Sequence, residues 1–264
     1  MNANCQKLLW DIIKCGMNNC PLPNSDCYPI YQSQNCNTVG DFQVPEPWSG
    51  DIENAPILFV GINPGFTPGE LYPKLNNPYW TDPNSPGLFD LSKVEDFFEN
   101  RFNNDKNTHP NPYVKITNQQ GKLSFSVRMN DGSYKNVQGY WNYIQSISDC
   151  LLKRPTTPGI DYALTELVHC KSANIRGIKT GCYKKCANSF FNDILSVATN
   201  LQYLIVIGAQ TRKYVATLLN HCDPNHPTNP TKYICYSTTI NGKNVNVLYA
   251  DHNAGGGTVK KFPG

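Results

Sequence analysis

The chain has 264 residues, of which 39% are hydrophobic, so it can build a core and is neither disordered nor fibrous. Lys and Arg number 23 and Asp and Glu number 20, and the net charge of +3 neither demands nor excludes a polyanionic partner. The eleven cysteines are the unusual feature, because they could form disulfides, ligate a metal or do neither.

The cellular compartment decides what these cysteines can do. A secretory signal consists of a charged segment, an apolar segment and a cleavage site with small residues, and residues 1–16 lack this pattern. No stretch approaches the roughly 20 apolar residues of a membrane span. No Asn-x-Ser/Thr glycosylation acceptor without proline at x is present either. We therefore expect an intracellular monomer, cytoplasmic or, in a eukaryote, nuclear, with no membrane partner. Its cysteines would be mostly reduced, which favours metal ligation over disulfides.

Apolar residues at helical spacing predict five helices. Ser92 and Glu95 have the spacing of a capping box, which predicts a helix start there. Residues 15–50 carry four cysteines among proline, asparagine and glycine. This composition predicts a loop that needs a further interaction to fix its conformation. The predicted helices are 2–14, a segment through Val94, Phe97 and Phe98, 139–153, 182–198 and 210–220.

Short apolar runs between these helices predict strands at 56–61, 163–169 and 204–208, and an Asn241-Gly242 turn predicts a terminal hairpin. Strands that alternate with helices indicate an α/β fold with a mostly parallel sheet covered on both faces. We expect one domain over residues 1–264, with an insertion at 103–138 that contains a second hairpin at Asp131-Gly132. Ligands of such sheets bind at the carboxyl ends of the strands, after Gly61, His169, Gly208 and Ala250.

The loop after the first strand reads Gly61-Ile62-Asn63-Pro64-Gly65. The two glycines permit a close approach of the backbone to a ligand, and the amide of Asn63 can orient a water or contact a base edge. All five residues also favour turns, so a simple turn is the alternative interpretation.

A second glycine-rich loop, Asp251 to Thr258, follows the last predicted strand. Its glycines would expose backbone N–H groups to a phosphate, and His252 could donate a hydrogen bond to a substrate oxygen. The alternative is a flexible loop with an incidental histidine.

The cysteines form a more specific pattern. Cys15 and Cys20 flank the end of the first helix, Cys170 follows a strand, and Cys182 and Cys186 share one face of a helix. Thiolates from two such distant pairs could hold an iron–sulfur cluster or a zinc ion. The alternative is a set of buried structural thiols, which is how we interpret Cys150, Cys222 and Cys235.

Together these features resemble the uracil-DNA glycosylase superfamily, over about residues 15–75, 160–215 and 245–258. Residues 61–65 match the first motif of its mismatch-specific thymine/uracil branch. Residues 165–170, Thr-Glu-Leu-Val-His-Cys, with Cys186 beyond them, resemble its iron–sulfur branch. Cys20-Pro21-Leu22 resembles that branch's N-terminal cysteine pair, although four residues separate Cys15 from Cys20 instead of two.

The resemblance implies a three-layer α/β/α fold with a central, mostly parallel four-stranded sheet. It implies a monofunctional DNA glycosylase of base-excision repair that flips out uracil or a related damaged base and hydrolyses its N-glycosidic bond with water. Asn63 would position the water and His252 would stabilise the leaving base. Phe89 would stack on the base, with Tyr79-Trp80 as the alternative. The implied substrate-binding residues are Gly61, Ile62, Pro64, Gly65, Phe89, Glu166, Asn253 and Gly255.

The implied cofactor is a 4Fe-4S cluster on Cys15, Cys20, Cys170 and Cys186, with zinc as the alternative and Cys27 and Cys182 as reserve ligands. The implied partner is DNA, whose phosphates Arg176, Lys260 and Lys261 could contact unless these are ordinary surface charges.

Three departures from the family pattern open other functions. Iron–sulfur members carry a Gly-Glu-Ala-Pro-Gly loop where this chain has residues 61–65. The family histidine is followed by Pro-Ser, whereas His252 is followed by Asn253-Ala254. An asparagine that contacts uracil in the family stands where this chain has Glu166. An ionised carboxylate only accepts hydrogen bonds, so Glu166 would select a base with an exocyclic amine or act as a protonated carboxyl. The competing functions are a catalytically altered nucleic-acid-binding protein and a zinc-stabilised protein for another nucleotide-like ligand.

Overall fold

The computed structural model describes residues 1–101, 113–117, 123–136, 139–173, 178–221 and 234–250, with the backbone alone for 113–117, 123–124 and 234. The helices of this part are α1 (Ala3–Asn19), α2 (Tyr28–Ser33), α3 (Leu91–Glu99), α4 (Tyr140–Leu152), α5 (Thr180–Val197) and α6 (Ala209–Leu218). Its strands are β1 (Trp48–Ser49), β2 (Ile57–Gly61), β3 (Tyr113–Thr117), β4 (Leu123–Arg128), β5 (Tyr134–Asn136), β6 (Tyr162–Glu166), β7 (Tyr203–Ile207), β8 (Ile234–Ile240) and β9 (Lys243–Ala250).

The central sheet has the strand order β1-β6-β2-β7-β9-β8. The four inner strands, β6, β2, β7 and β9, are parallel, and β1 and β8 pair antiparallel at the two edges. The α/β class and the mostly parallel sheet are therefore confirmed. The described sheet has six strands where four were predicted, because a strand is added at each edge.

Both faces of this sheet are covered, because successive side chains of a strand point to opposite faces. Leu58 and Val60 of β2 pack into a core that includes buried residues of α1, α3 and α5. Ile57 and Phe59 pack into a second core, to which α4 contributes Ile144 and Ile147. The continuous apolar run that predicted β2 thus reflects burial on both sides.

The predicted hairpins are present. Asn241 and Gly242 both have positive φ, +53° and +73°, as a tight turn between β8 and β9 requires. Asp131-Gly132 connects β4 to β5, which with β3 form a separate three-stranded sheet. This second sheet occupies the segment that was predicted as an insertion.

The predicted capping box is wrong. Asp90 caps α3, accepting hydrogen bonds from the backbone N–H of Lys93 at 3.1 Å and from the hydroxyl of Ser92 at 2.9 Å. Glu95 faces α1 instead and accepts a hydrogen bond from the indole of Trp10 at 2.7 Å. The aspartate two residues upstream caps the helix instead, since its side chain accepts from the N–H of Lys93 in the first turn.

The described helices include none that is long and apolar enough to cross a bilayer.

Candidate functional site

The loops after β2 and β6 lie side by side at the carboxyl end of the sheet. Gly61 and Glu166 are paired residues in the register of the two strands. The pairing continues beyond them, because the N–H of Val168 donates to the carbonyl of Ile62 at 3.0 Å and that of Ser172 to the carbonyl of Pro64 at 3.1 Å. Polar side chains of two segments that are distant in sequence are thereby brought together, as in the contact between Asn63 and Ser172.

The side chain of Glu166 lies over Gly61. A Cβ added at residue 61 would stand 2.1 Å from Oε2 of Glu166, so only glycine leaves room for the carboxyl group. Glu166 is 6% exposed, and its Oε2 has no hydrogen-bond partner among the described residues. Burial raises the pKa of Glu166 well above its ordinary value, and the negative charge of Glu46 raises it further. The protonated form is favoured, and it offers one hydrogen-bond donor together with an acceptor.

The amide of Asn63 is held in one orientation. Its Nδ2 donates to the carbonyl of Pro64 at 3.0 Å and to the hydroxyl of Ser172 at 2.8 Å. Both amide protons are thereby engaged, and Oδ1 is left to accept a hydrogen bond from a bound molecule. No sequence pattern indicated Ser172, because its contact with Asn63 exists only where the two loops meet.

An aromatic residue of the helix predicted over 139–153 lies near Glu166. Tyr140 is the first residue of α4, and burial together with the nearby carboxyl of Glu166 raises its pKa well above the ordinary value. Its ring packs against the core on the α4 side of the sheet, the side to which Glu166 also points.

The aromatic residues that were predicted to stack on a base lie in different surroundings. Phe89 is half-buried, with its ring centroid 6.1 Å from that of Trp10 on α1. Trp80 is 2% exposed and packs edge-to-face on Phe97 in the core. Tyr79 is covered by the ammonium group of Lys93, 5.1 Å from its ring centroid.

A buried ionic network lies beside this site and was not foreseen. Arg101 bonds Glu46 at 2.5 Å and Glu70 at 3.4 Å, and Lys171 reaches Glu70 at 3.2 Å. All four side chains are at most 5% exposed, and Lys171 also lies 3.6 Å from the ring centroid of Tyr72. Glu46 lies in the segment before β1, Glu70 in the loop after β2, and Lys171 next to Cys170. The network therefore connects three segments that are distant in sequence.

Cysteines converge behind the same loop. One buried cluster contains Cys20, Cys27, Cys170, Cys182 and Cys186, and Cys15 joins four of these around a small cavity. The Sγ atoms of Cys20 and Cys170 are 2.8 Å apart. The neighbouring thiols of Cys182 and Cys186 lower the pKa of Cys27, whereas the pKa of each of the other five thiols is raised.

The structure therefore brings together all four predicted metal ligands and both reserve ligands. No three His, Cys, Asp or Glu side chains of the described segments are already arranged as a coordination shell. The cysteines of these segments are free thiols.

The interpretation of two other cysteines as buried structural thiols is wrong. Cys150 on α4 and Cys235 on β8 are exposed. Cys222 lies outside the described residues, as do His252, Asn253, Gly255, Arg176, Lys260 and Lys261.

No protein-family model matches the chain, and no curated protein is significantly similar to it.

Proposed function

We propose that the protein is a DNA glycosylase that hydrolyses the N-glycosidic bond of a flipped uracil or related damaged base. The observation that carries the proposal is the juxtaposition of Asn63 and Glu166 at adjacent strand ends. Four parallel strands with helices on both faces are compatible with the three-layer fold implied by the resemblance.

The attacking water would be oriented by Asn63. The amide is fixed by Pro64 and Ser172, so Oδ1 can accept a hydrogen bond from the water and direct a lone pair of the water oxygen toward C1′. Holding the reactants in one geometry lowers the entropic part of the barrier. No covalent intermediate is needed, since the sugar itself carries the developing positive charge.

The base would be bound by Glu166. A protonated carboxyl donates from one oxygen and accepts at the other, which complements the adjacent N–H and C=O groups of uracil. Of the two possibilities raised for Glu166, its burial favours the protonated carboxyl. Tyr140 is a further candidate for stacking on the base, beside Phe89, because it packs on the side of the sheet to which Glu166 points.

His252 would stabilise the negative charge that develops on the departing base, as electrostatic catalysis requires. Phosphate contacts would come from Arg176, Lys260, Lys261 and the glycine-rich loop. These roles rest on the family resemblance.

The cysteine group fits a thiophilic metal centre in its chemistry, since its donors are all sulfur, all reduced and gathered around one cavity. An iron–sulfur cluster or a zinc ion bound there would tie the N-terminal segment to the loop after β6 and to α5. The centre would be structural, and the hydrolysis would not pass through it.

A nucleic-acid-binding protein without catalysis is the second candidate. Glu166 favours this second candidate. When the carboxyl group ionises, its negative charge repels the negative charge that develops on the departing base.

The test is a panel of oligonucleotides, each with one damaged or mismatched base, assayed for abasic sites. We expect excision of at least one base by the full-length protein, and a loss of about 10²- to 10⁴-fold in the Asn63→Ala variant. Asn4→Ala, at an exposed position of α1, is the control and should retain the wild-type rate. DNA binding without a product from any base would replace the glycosylase by the second candidate.

A further inference from the structure

The turn that carries Cys27 is held against the first turn of α5. A Cβ added at Gly181 would stand 2.2 Å from Oδ2 of Asp26, so the absence of a side chain at residue 181 allows this approach. The thiol of Cys182 donates to the carbonyl of Asp26 at 2.8 Å. Two neighbouring residues of α5 therefore fix the backbone on which Cys27 stands.

Cys27 is a member of the buried thiol group. It is 3% exposed, packs in the same buried cluster as Cys20, Cys170 and Cys186, and lines the cavity with them. The Sγ atoms of Cys20 and Cys170 are in contact at 2.8 Å. Cys20, Cys27, Cys170 and Cys186 thus border one cavity. These four thiols come from three separate parts of the chain and are all buried.

Cys15 differs from these four. It lies within α1, is only partly buried, and its Sγ accepts a hydrogen bond from the side chain of Asn19 at 3.6 Å. It borders the cavity, yet it is not part of the buried cluster that contains the other four thiols.

We propose that Cys27, together with Cys20, Cys170 and Cys186, binds a thiophilic metal centre, and that Cys15 is not a ligand. Cys182 is a positioning residue, because its thiol donates to the carbonyl of Asp26 and so holds the turn that carries Cys27. This assignment replaces Cys15 by Cys27 in the predicted ligand set. It rests on the metal centre proposed above and is independent of base excision.

The experiment compares the full-length protein with its Cys27→Ser, Cys15→Ser and Cys182→Ala variants, all purified without oxygen. Zinc, iron and acid-labile sulfide per chain are measured, with visible absorption to distinguish a cluster from zinc. We expect Cys27→Ser to lose most of the bound metal and Cys15→Ser to keep the wild-type content. Cys182→Ala should bind the metal about 10-fold more weakly, as expected for loss of a group that orients a ligand. Cys36→Ser, in the same N-terminal segment, is the control.

Cobalt(II) added to the metal-free protein keeps the proposal testable if Cys27→Ser fails to fold. The intensity of the sulfur-to-cobalt charge-transfer band increases with the number of bound thiolates. An unchanged band intensity in the Cys15→Ser variant supports the assignment of the four other cysteines as ligands. A lower band or a loss of metal in Cys15→Ser overturns the assignment, as does a wild-type protein with neither zinc nor iron. Because these measurements do not use DNA, their failure is distinguishable from an absence of glycosylase activity.

Discussion

The carboxyl group of Glu166 occupies the space that a side chain at residue 61 would fill. The two residues are paired across β6 and β2, and a Cβ at Gly61 would lie 2.1 Å from Oε2 of Glu166. The glycine of the first loop thus has a packing role, since it leaves room for a side chain of the neighbouring strand.

Replacing Gly61 with alanine should force this carboxyl group out of its position. We expect Gly61→Ala to lower the free energy of unfolding by about 1–3 kcal/mol, the usual cost of overpacking, as measured by urea denaturation. Gly65→Ala is the matched control, because a Cβ added there would meet no atom of the described residues within 4 Å, its chain neighbours aside. The Glu166→Ala substitution should relieve the clash in the double variant, and equal losses at residues 61 and 65 would contradict the packing argument.

The ionisation of Glu166 should appear in the pH dependence of stability. Its pKa is higher in the folded than in the unfolded protein, so the folded state binds more protons between the two pKa values. Stability is then lost as the pH rises above about 4.5, by at most about 1.4 kcal/mol per pH unit. We expect Glu166→Gln, which cannot ionise, to show a flatter profile of unfolding free energy against pH. Parallel profiles would mean that folding does not raise the pKa of Glu166.

The contact between Ser172 and Asn63 should matter for catalysis if Asn63 orients the water. We expect Ser172→Ala to lower kcat by about 10-fold with little change in KM, since the amide would lose one of the two bonds that fix it. In an Asn63→Ala background the same change should have no further effect. Additive losses in the double variant would show that Ser172 acts independently of Asn63.

Breaking the buried ionic network should be costly. Glu70→Gln removes a negative charge that faces both Arg101 and Lys171, and we expect a loss of about 3–5 kcal/mol in the free energy of unfolding. Glu95→Gln, at a half-buried carboxyl on α3, is the control, with a change near 1 kcal/mol at most. The double variant Glu70→Gln/Lys171→Met should recover part of the loss, and no recovery would argue that Lys171 does not interact with Glu70.

Local patterns predicted most of the elements. The apolar run at 56–61 predicted β2, and the helical spacing of apolar residues in 2–14 predicted α1. The apolar face of α1 is buried and consists of Leu8, Leu9, Ile12 and Ile13. Such patterns depend on the repeat of the strand or helix itself, which is visible within about ten residues. The start of α3 was misplaced because Asp90 and Ser92 are both good caps, and only the observed hydrogen bonds distinguish them.

By itself, the sequence determined the α/β class, the parallel centre of the sheet and the two loops that meet at its carboxyl end, because these follow from periodicity and strand order. The tertiary structure decided that Glu166 is buried over Gly61, that Ser172 holds Asn63, and that Cys27 lies among the thiols while Cys150 and Cys235 face solvent. Charge state and ligand geometry depend on the burial and charge contributed by segments up to about 150 residues apart, which no local pattern contains.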